Sequence, residues 1–320
     1  MVALPPPPNQ TVSAIYASYE TAHGDERRPH LGASVLGREC DRELWLIFRW
    51  ATKAAHIGRM LRLFARGDLE EPRLIADLRR IGVTVLELDP DTGRQWRVRD
   101  LGGHLGGSMD AVALGVLEAP ATWHLCEFKT HNAKNFAALL KGGVQKAKPE
   151  HWVQMQVYMH LAGLERALYL ACNKDTDELY QERAHYDAAA AIRYVERARR
   201  IIFAARPPAR ISEDPAAFAC RWCDHAALCH GREKLPELSC RTCMHSTPLE
   251  AGGWRCERWN EDLDDAKQRV GCPMYLTHPD LVPGEQVDAG PDWVEYRMPN
   301  GEIWRDGFSP VETPVEDVPL

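Results

Sequence analysis

Seven of the ten cysteines in this 320-residue chain fall within 53 residues, between Cys220 and Cys272. This crowding constrains the fold, because cysteines at such density either pair as disulfides or bind metal. The amino terminus, with prolines at positions 5–8, lacks the charged and apolar regions of a secretory signal, and no apolar run approaches the roughly 20 residues that cross a bilayer. We therefore expect a cytoplasmic, reducing location, no membrane association, and cysteines that bind metal.

The clustered cysteines divide into two sets by their spacing. Cys220, Cys223 and Cys229 follow C-x2-C-x5-C, which is one thiolate short of the four that a [4Fe–4S] cluster takes from protein. Cys40, about 180 residues earlier, is a candidate fourth ligand. A small buried apolar residue is the alternative interpretation of Cys40, and zinc is the alternative metal.

The second set offers four thiolates, at Cys240, Cys243, Cys256 and Cys272. Four thiolates suit tetrahedral zinc, so the sequence predicts a structural zinc site in which His245 or His278 could replace one cysteine. In contrast, Cys126 and Cys172 lie in apolar, strand-like runs and are predicted to pack in the core.

The net charge of −7 is unevenly placed along the chain. From Asp280 onward there are ten acidic and two basic residues, a net of −8, so residues 1–279 carry +1. This balance does not exclude nucleic acid, because local basic patches govern contact with phosphate. Three basic groups are candidates for contact with phosphate, and an ordinary solvated face is the alternative for each: Arg38, Arg42, Arg49, Lys53, Arg59, Arg62 and Arg66; Arg193, Arg197, Arg199, Arg200, Arg206 and Arg210; and Lys134, Lys141, Lys146 and Lys148, which lie in a predicted Gly-containing loop.

Hydrophobic periodicity predicts an alternation of helices and strands. Helices are predicted over 34–63, 70–80, 151–163 and 188–205. Strands are predicted over 83–88, 96–98, 107–114, 123–130 and 167–172, and a hairpin around Pro299-Asn300-Gly301. This order of elements predicts an α/β core with a mixed sheet.

Two of the strand-like runs carry side chains suited to phosphodiester hydrolysis. Glu127 and Lys129 are two residues apart and project to the same side of a strand, and Asp110 can lie beside them if the two strands pair. Carboxylates bind Mg²⁺ or Mn²⁺, which can activate water, while an ammonium can stabilise developing negative charge. The alternative for Glu-x-Lys alone is an ordinary solvated ion pair.

Four short motifs, in this order, resemble the RecB-like and lambda-exonuclease-like branch of the PD-(D/E)XK nuclease superfamily. They are Gly67-x-x-x-Glu71, Gly107-x-x-Asp110, Glu127-x-Lys129 and Gln154-x-x-x-Tyr158. The resemblance covers residues 30–230 and implies a restriction-endonuclease-like core, with a central mixed sheet flanked by helices. Met109 stands where the name of the superfamily expects proline.

This resemblance also implies a role for each motif residue. Asp110 and Glu127 would bind Mg²⁺ or Mn²⁺, assisted by the backbone carbonyl of Phe128 and by Glu71. Lys129 would act on the water, while Gln154 and Tyr158 would orient Lys129 or hold phosphate. Glu70 and His56 stay open as alternatives to Glu71.

The first cysteine set resembles that of AddB-type iron–sulfur nucleases and of CRISPR-adaptation nucleases, which place one cysteine ahead of the nuclease core and three after it. The resemblance implies that Cys40, Cys220, Cys223 and Cys229 hold a structural [4Fe–4S] cluster. The predicted organisation has four segments: a flexible segment over 1–30, a nuclease domain closed by the cluster over 31–232, a Cys-rich zinc-knuckle-like module over 233–280, and an acidic tail with a β-hairpin over 281–320.

The family resemblance implies a DNA exonuclease or end-processing nuclease of recombination, repair or phage DNA metabolism, working with recombination or phage replication proteins. An endonuclease of the same superfamily is the nearest alternative, because the same site serves both. A non-catalytic, metal-stabilised DNA-binding or assembly protein would not need Asp110, Glu127 and Lys129 together. An iron–sulfur redox protein is disfavoured by the lack of a G-x-G-x-x-G cofactor motif.

Overall fold

The computed structural model describes residues 9–25, 27–53, 56–231 and 235–307, which form a succession of helices and short strands. The helices are α1 (Gln10–Ala22), α2 (Asp41–Phe48), α3 (Gly58–Arg80), α4 (Ala133–Ala147), α5 (Pro149–Ala162), α6 (Ala188–Ile202), α7 (Phe218–Arg221), α8 (Ala226–Cys229) and α9 (Asp265–Val270). The strands are β1 (Leu31–Gly32), β2 (Thr84–Leu86), β3 (Arg97–Asp100), β4 (Leu105–Ser108), β5 (Ala111–Leu114), β6 (His124–His131), β7 (Arg166–Asn173), β8 (Leu179–His185), β9 (Ser246–Pro248), β10 (Trp254–Cys256), β11 (Glu261–Leu263), β12 (Glu285–Gly290), β13 (Trp293–Arg297) and β14 (Ile303–Gly307). Within the described ranges, none of the helices is both long enough and apolar enough to cross a bilayer.

A five-stranded sheet in the order β2-β5-β6-β7-β8 is formed by strands between residues 84 and 185. Strands β6 and β7 run parallel, while β2–β5, β5–β6 and β7–β8 are antiparallel. A parallel pair needs a long crossover, which α4 and α5 supply between β6 and β7. The predicted α/β class, with a mixed sheet flanked by helices, is confirmed.

The two faces of the central sheet are covered by different helices. On one face, Leu74, Ile75 and Leu78 of α3 belong to a buried cluster with Phe128 and Cys126 of β6. Cys172 lies in the same cluster, so both isolated cysteines pack in the core as predicted. On the other face lies α5, in which every residue from Val153 to Met159 is buried.

Some predicted elements differ from the observed ones. The predicted helix over 34–63 is interrupted, because α2 ends at Phe48 and Trp50 adopts a left-handed conformation (φ 54°). The predicted helix over 70–80 is the second half of α3, whose buried apolar stripe continues through Pro72. The predicted lysine loop is helix α4, capped by the Asn132 side chain at the N–H of Asn135.

The predicted strand over 107–114 is two strands in two sheets. Strand β4 pairs with β1 and β3, whereas β5 pairs with β2 and β6. Met109 and Asp110 lie between them, so Asp110 stands where the chain leaves one sheet and enters the other.

Contacts between Cα atoms divide the chain into two units. The first comprises the described parts of 1–38 and 54–200 and holds the central sheet; it includes α1, which the sequence does not predict. The second comprises Glu39–Lys53 and the described part of 201–320, and therefore holds α2 together with β9 to β14. The independence of the four segments predicted from the sequence stays a prediction.

In the second unit, α2 packs against the Cys-rich sequence through aromatic and arginine side chains. The Trp45 indole N–H donates to the Ala204 carbonyl at 3.0 Å. Arg241, which is 1% exposed, donates to the Phe48 carbonyl and lies over the rings of Trp50 and Trp254. The predicted hairpin is present as β13 and β14, which pair antiparallel around Pro299-Asn300-Gly301.

Candidate active site

Asp110, Glu127 and Lys129 meet at one place in the first unit. The Lys129 ammonium forms an ion pair with Glu127 and lies 4.0 Å from Asp110 Oδ2. The same Asp110 oxygen accepts the backbone N–H of Phe128 at 2.8 Å, just beyond the point where Ala111 pairs with Cys126. The Asp110 side chain thus extends the hydrogen bonding of β5 and β6 past the end of β5, which fixes its position beside β6.

Helix α5 holds Glu127 from the other side. Gln154 Nε2 donates to Glu127 Oε2 at 2.9 Å. Tyr158, one turn later, packs against Gly107, where an added Cβ would lie 2.1 Å from the Tyr158 hydroxyl oxygen. The Gly-x-x-Asp and Gln-x-x-x-Tyr motifs are therefore sterically matched, because only glycine at 107 leaves room for the tyrosine.

Helix α3 supplies the upstream acids. Glu71 and Glu70 line a cleft that Asp110 and Lys129 also line. The sequence predicts these acids at the start of a helix. In the structure they lie in the middle of α3. Glu70 is paired with Arg73 at 3.2 Å, and His56 packs against the rings of Phe64 and His23 without lining the cleft.

Glu127 and Glu71 are held in an environment that opposes the ionisation of their carboxyl groups. Burial raises the pKa of Glu127 to about 7; Lys129 lowers it, and Asp110 raises it further. Burial also raises the pKa of Glu71 to about 7, with a further contribution from the charge of Asp110. Burial acts to lower the pKa of Lys129, but Glu127 and Asp110 outweigh it and the net shift is upward. The site therefore carries more acid than its single ammonium neutralises.

These donors fit a hard divalent cation. Asp110, Glu127 and Glu71 offer carboxylate oxygens, and the Phe128 carbonyl lies 2.9 Å from the Lys129 ammonium. Among the described residues, the three carboxylates do not converge within 4.8 Å. Mg²⁺ tolerates such an arrangement because it keeps several waters and binds substrate oxygens.

A family model of the PD-(D/E)XK nuclease superfamily matches residues 15–230, which is more than half of the chain. The chain belongs to this superfamily. It is therefore a nuclease with a restriction-endonuclease-like fold.

Among solved structures, this nuclease is similar to the alkaline exonuclease LHK-Exo from Laribacter hongkongensis. The two are 20% identical, with a TM-score of 0.38, over 58% of this chain and 90% of that chain. LHK-Exo in complex with dAMP gives the same identity and coverage with a TM-score of 0.40. SSO0001 is 16% identical with a TM-score of 0.39, over 69% of this chain and 96% of that chain. No curated protein sequence matches.

In this nuclease, two clefts share Asp68, Asp110 and Lys129. The acidic cleft is lined also by Glu70 and Glu71. The basic cleft is lined also by three arginines, Arg28, Arg97 and Arg99, and by Glu150, so its basic side chains outnumber its acidic ones by four to three. Arg97 and Arg99 alternate with buried Val98 on β3 and so project from the same face of the strand.

Four of these cleft residues, Asp68, Arg28, Arg97 and Arg99, were not predicted from the sequence. The alternation Arg-Val-Arg is a usable signal for Arg97 and Arg99, whereas Asp68 and Arg28 reach the clefts only through tertiary folding. Two of the arginines that the sequence offers as candidates for phosphate contact have structural roles instead. Arg49 is 3% exposed and bonds the Arg241 carbonyl, and Arg197 donates to the Leu36 and Arg38 carbonyls.

A buried polar chain also reaches the basic cleft and was not predicted. The Tyr169 hydroxyl lies 2.9 Å from His151 Nδ1 and 2.8 Å from His131 Nε2. Burial lowers the pKa of His151 to about 3, and the positive charge of Lys129 contributes to this shift. Burial lowers the pKa of His131 to about 4, and the positive charge of Lys148 contributes. Both imidazoles are therefore neutral near pH 7, and His151 lines the cleft beside Gln154.

The first cysteine set comes together in the second unit of the nuclease. Cys40, Cys220, Cys223 and Cys229 line one cavity. Cys40 lies at the start of α2, and its sulfur accepts the N–H of Glu43 at 3.4 Å. The four ligands implied by the resemblance are thus adjacent in space, and four thiols around such a cavity fit a [4Fe–4S] cluster.

The second cysteine set lines a separate cavity in the same unit. All four of its thiols, at Cys240, Cys243, Cys256 and Cys272, border this cavity. His245 lines it as well. The other candidate, His278, instead hydrogen bonds the Ala205 carbonyl through Nε2 at 2.9 Å.

Proposed function

We propose that this nuclease is a divalent-metal-dependent deoxyribonuclease that degrades or trims DNA from its ends. The observation that carries the proposal is the meeting of Asp110, Glu127 and Lys129 where an acidic and a basic cleft adjoin. The acidic side suits a cation, and the basic side suits the phosphates of a DNA strand.

Each residue would have a distinct task. Asp110, Glu127, Glu71 and the Phe128 carbonyl would hold Mg²⁺ or Mn²⁺, which offsets charge on the phosphate and lowers the pKa of a water when bound. Lys129 would position that water and stabilise developing negative charge. Gln154 orients Glu127, and Tyr158 fixes the β4 segment that leads to Asp110.

Under this proposal, Cys40, Cys220, Cys223 and Cys229 hold a structural [4Fe–4S] cluster. All four belong to the second unit, so the cluster would connect α2 to the α7–α8 segment within that unit. The biological setting would be recombination, repair or phage DNA metabolism.

The decisive experiment is a time course on end-labelled linear DNA and on closed circular DNA, single- and double-stranded, with Mg²⁺ or Mn²⁺. Wild-type protein should degrade linear DNA and spare circles. Lys129→Ala should reduce the rate by a factor of 10³ or more (roughly 4 kcal/mol in the barrier), with an unchanged circular dichroism spectrum.

The matched control is Lys134→Ala. Although the sequence makes Lys134 a candidate for phosphate contact, this exposed residue of α4 lines neither cleft, so the variant should cut at the wild-type rate. Cleavage of circles would favour an endonuclease. Undiminished cutting by Lys129→Ala would refute the assigned role, and no cutting of any substrate by wild type would favour a non-catalytic DNA-binding protein.

A further inference from the structure

The second cysteine set surrounds a cavity, as the first set does. All four thiols of each set border their own cavity. Cys243 and Cys256 are buried, and the apolar parts of Leu263, Met274 and Tyr275 complete the wall of the second cavity. The second unit therefore has two thiol-lined cavities.

The thiols of this set are too far apart for one zinc ion. Zinc–sulfur bonds of about 2.3 Å in a tetrahedron place the sulfurs about 3.8 Å from one another. In the part of the chain that the structure describes, the only three donor atoms of this kind within 4.8 Å of one another belong to Glu70, Cys172 and Asp177. This wider spacing suits a [4Fe–4S] cluster, which holds one thiolate at each of four separated iron corners.

The two sets share a local turn. Each begins C-R-x-C-x-H, at 220–225 and again at 240–245. In both, the backbone N–H of the histidine bonds the thiol of the second cysteine, His225 to Cys223 and His245 to Cys243. Equivalent turns indicate equivalent ligand geometry.

Two buried polar atoms border the second cavity without a hydrogen-bond partner among the described residues. They are His245 Nε2 and Ser246 Oγ. A buried donor left unsatisfied is costly, so such atoms normally have an acceptor. The sulfides and thiolates of an iron–sulfur cluster accept hydrogen bonds of this kind, which help set its reduction potential.

We propose that Cys240, Cys243, Cys256 and Cys272 hold a second [4Fe–4S] cluster, whose sulfurs accept hydrogen bonds from His245 and Ser246. This replaces the zinc ion that the sequence spacing favours. Assembly is a ligand exchange: a preformed core leaves the thiolates of a cluster donor for these four, and the protons that these thiols release pass to the donor's thiolates. No net oxidation or reduction is required.

The test is a count of iron, acid-labile sulfide and zinc per full-length chain after anaerobic purification. Wild type should contain about eight irons and eight sulfides, and Cys240→Ser/Cys243→Ser and Cys220→Ser/Cys223→Ser about four of each. Cys172→Ser, outside both sets, should keep all eight. Two results would overturn the proposal. One is a wild-type protein with one zinc per chain that only Cys240→Ser/Cys243→Ser loses. The other is an iron content of Cys240→Ser/Cys243→Ser equal to that of wild type.

Variants that keep all the ligands guard against misfolding. His245→Phe and Ser246→Ala should shift one of two reduction potentials to a more negative value, because each removes a donor to the cluster sulfurs. Potentials identical to wild type in both variants would also count against the proposal. None of these measurements depends on nuclease activity, so they can fail or succeed independently of it.

Discussion

The burial of Glu127 dominates the chemistry of single residues in this nuclease. Its side chain is 0% exposed, yet it is bonded by Gln154 and paired with Lys129. A buried carboxylate without a full counter-charge is costly, which is why its pKa rises to about 7. A divalent cation would remove much of this cost, so stability, pH and metal are linked at this one residue.

We expect Mg²⁺ to stabilise the protein more at pH 8 than at pH 6. Without the cation, the folded protein keeps a proton on Glu127 that the unfolded chain releases above pH 4.5, so stability falls as pH rises from about 4.5 to about 7. Mg²⁺ binds the ionised form and should raise the melting temperature increasingly across that window. Glu127→Gln should lose most of this increase, whereas Glu196→Gln on α6 should retain it. An equal Mg²⁺ effect at both pH values would contradict the linkage.

Gly107→Ala should destabilise the protein by about 1–3 kcal/mol, because its methyl group overlaps Tyr158. Gly67→Ala is the matched control, because the atom nearest to its added Cβ is 3.9 Å away. Since alanine favours the helix more than glycine does, this substitution should leave the free energy of unfolding unchanged or raise it by up to about 1 kcal/mol. Urea denaturation measures both. Adding Tyr158→Phe, which removes the closest atom, should recover part of the stability that Gly107→Ala loses. Equal free energies of unfolding for Gly107→Ala and Gly67→Ala would disprove the steric match.

Sequence reasoning succeeded at residues whose relation is local and failed where tertiary folding decides. The two-residue period of a strand places Glu127 beside Lys129, and the order of the motifs points to Asp110, Gln154 and Glu71. Neither signal predicts that Asp68 lies at the site. Neither predicts the hydrogen-bonded chain of His151, Tyr169 and His131. Those side chains come together only after α3, α5 and the sheet have packed.

At the scale of elements, propensity and periodicity located most strands and α5, but not the continuity of α3. Pro72 removes one backbone donor and usually marks a helix start or break. In α3 the buried residues Leu61, Leu74 and Ile75 hold the helix together across it. The prediction of a lysine-containing loop was wrong because two adjacent glycines, Gly142 and Gly143, suggested a turn. In the structure only Gly143 leaves the helical conformation (φ 69°), and the segment forms α4.

Strand β3 is the element that we expect to hold DNA. Arg97→Ala/Arg99→Ala should weaken DNA binding and reduce the slope of log Kd against log salt by about 2, one for each lost phosphate contact. The arginine-rich helix α6 supplies the control, Arg199→Ala/Arg200→Ala, which should leave the slope unchanged. Fluorescence anisotropy in Ca²⁺, across a salt series, gives these values. Equal slopes for wild type and the β3 variant would exclude this face from the DNA site.

At the scale of the whole molecule, the chain folds as two units, the second of which gathers both cysteine sets. Loss of a metal group should therefore affect the second unit first. Cys223→Ser should lose at least half of the absorbance near 400 nm, typical of [4Fe–4S] centres, and limited proteolysis should then cut within 201–320 before it cuts within 56–200. Cys172→Ser should behave as wild type; equal protease resistance of the second unit with and without the cluster would contradict a structural role.

The discontinuity of the second unit has a consequence for synthesis on the ribosome. Helix α2 buries Leu44, Trp45 and Phe48 against sequence that begins only at residue 201. At roughly 5–20 residues per second, a nascent chain would wait about 10–40 s between the emergence of Cys40 and that of Cys229. During this interval an apolar helix has no native surface to cover it, so the growing polypeptide is a natural client for holding chaperones.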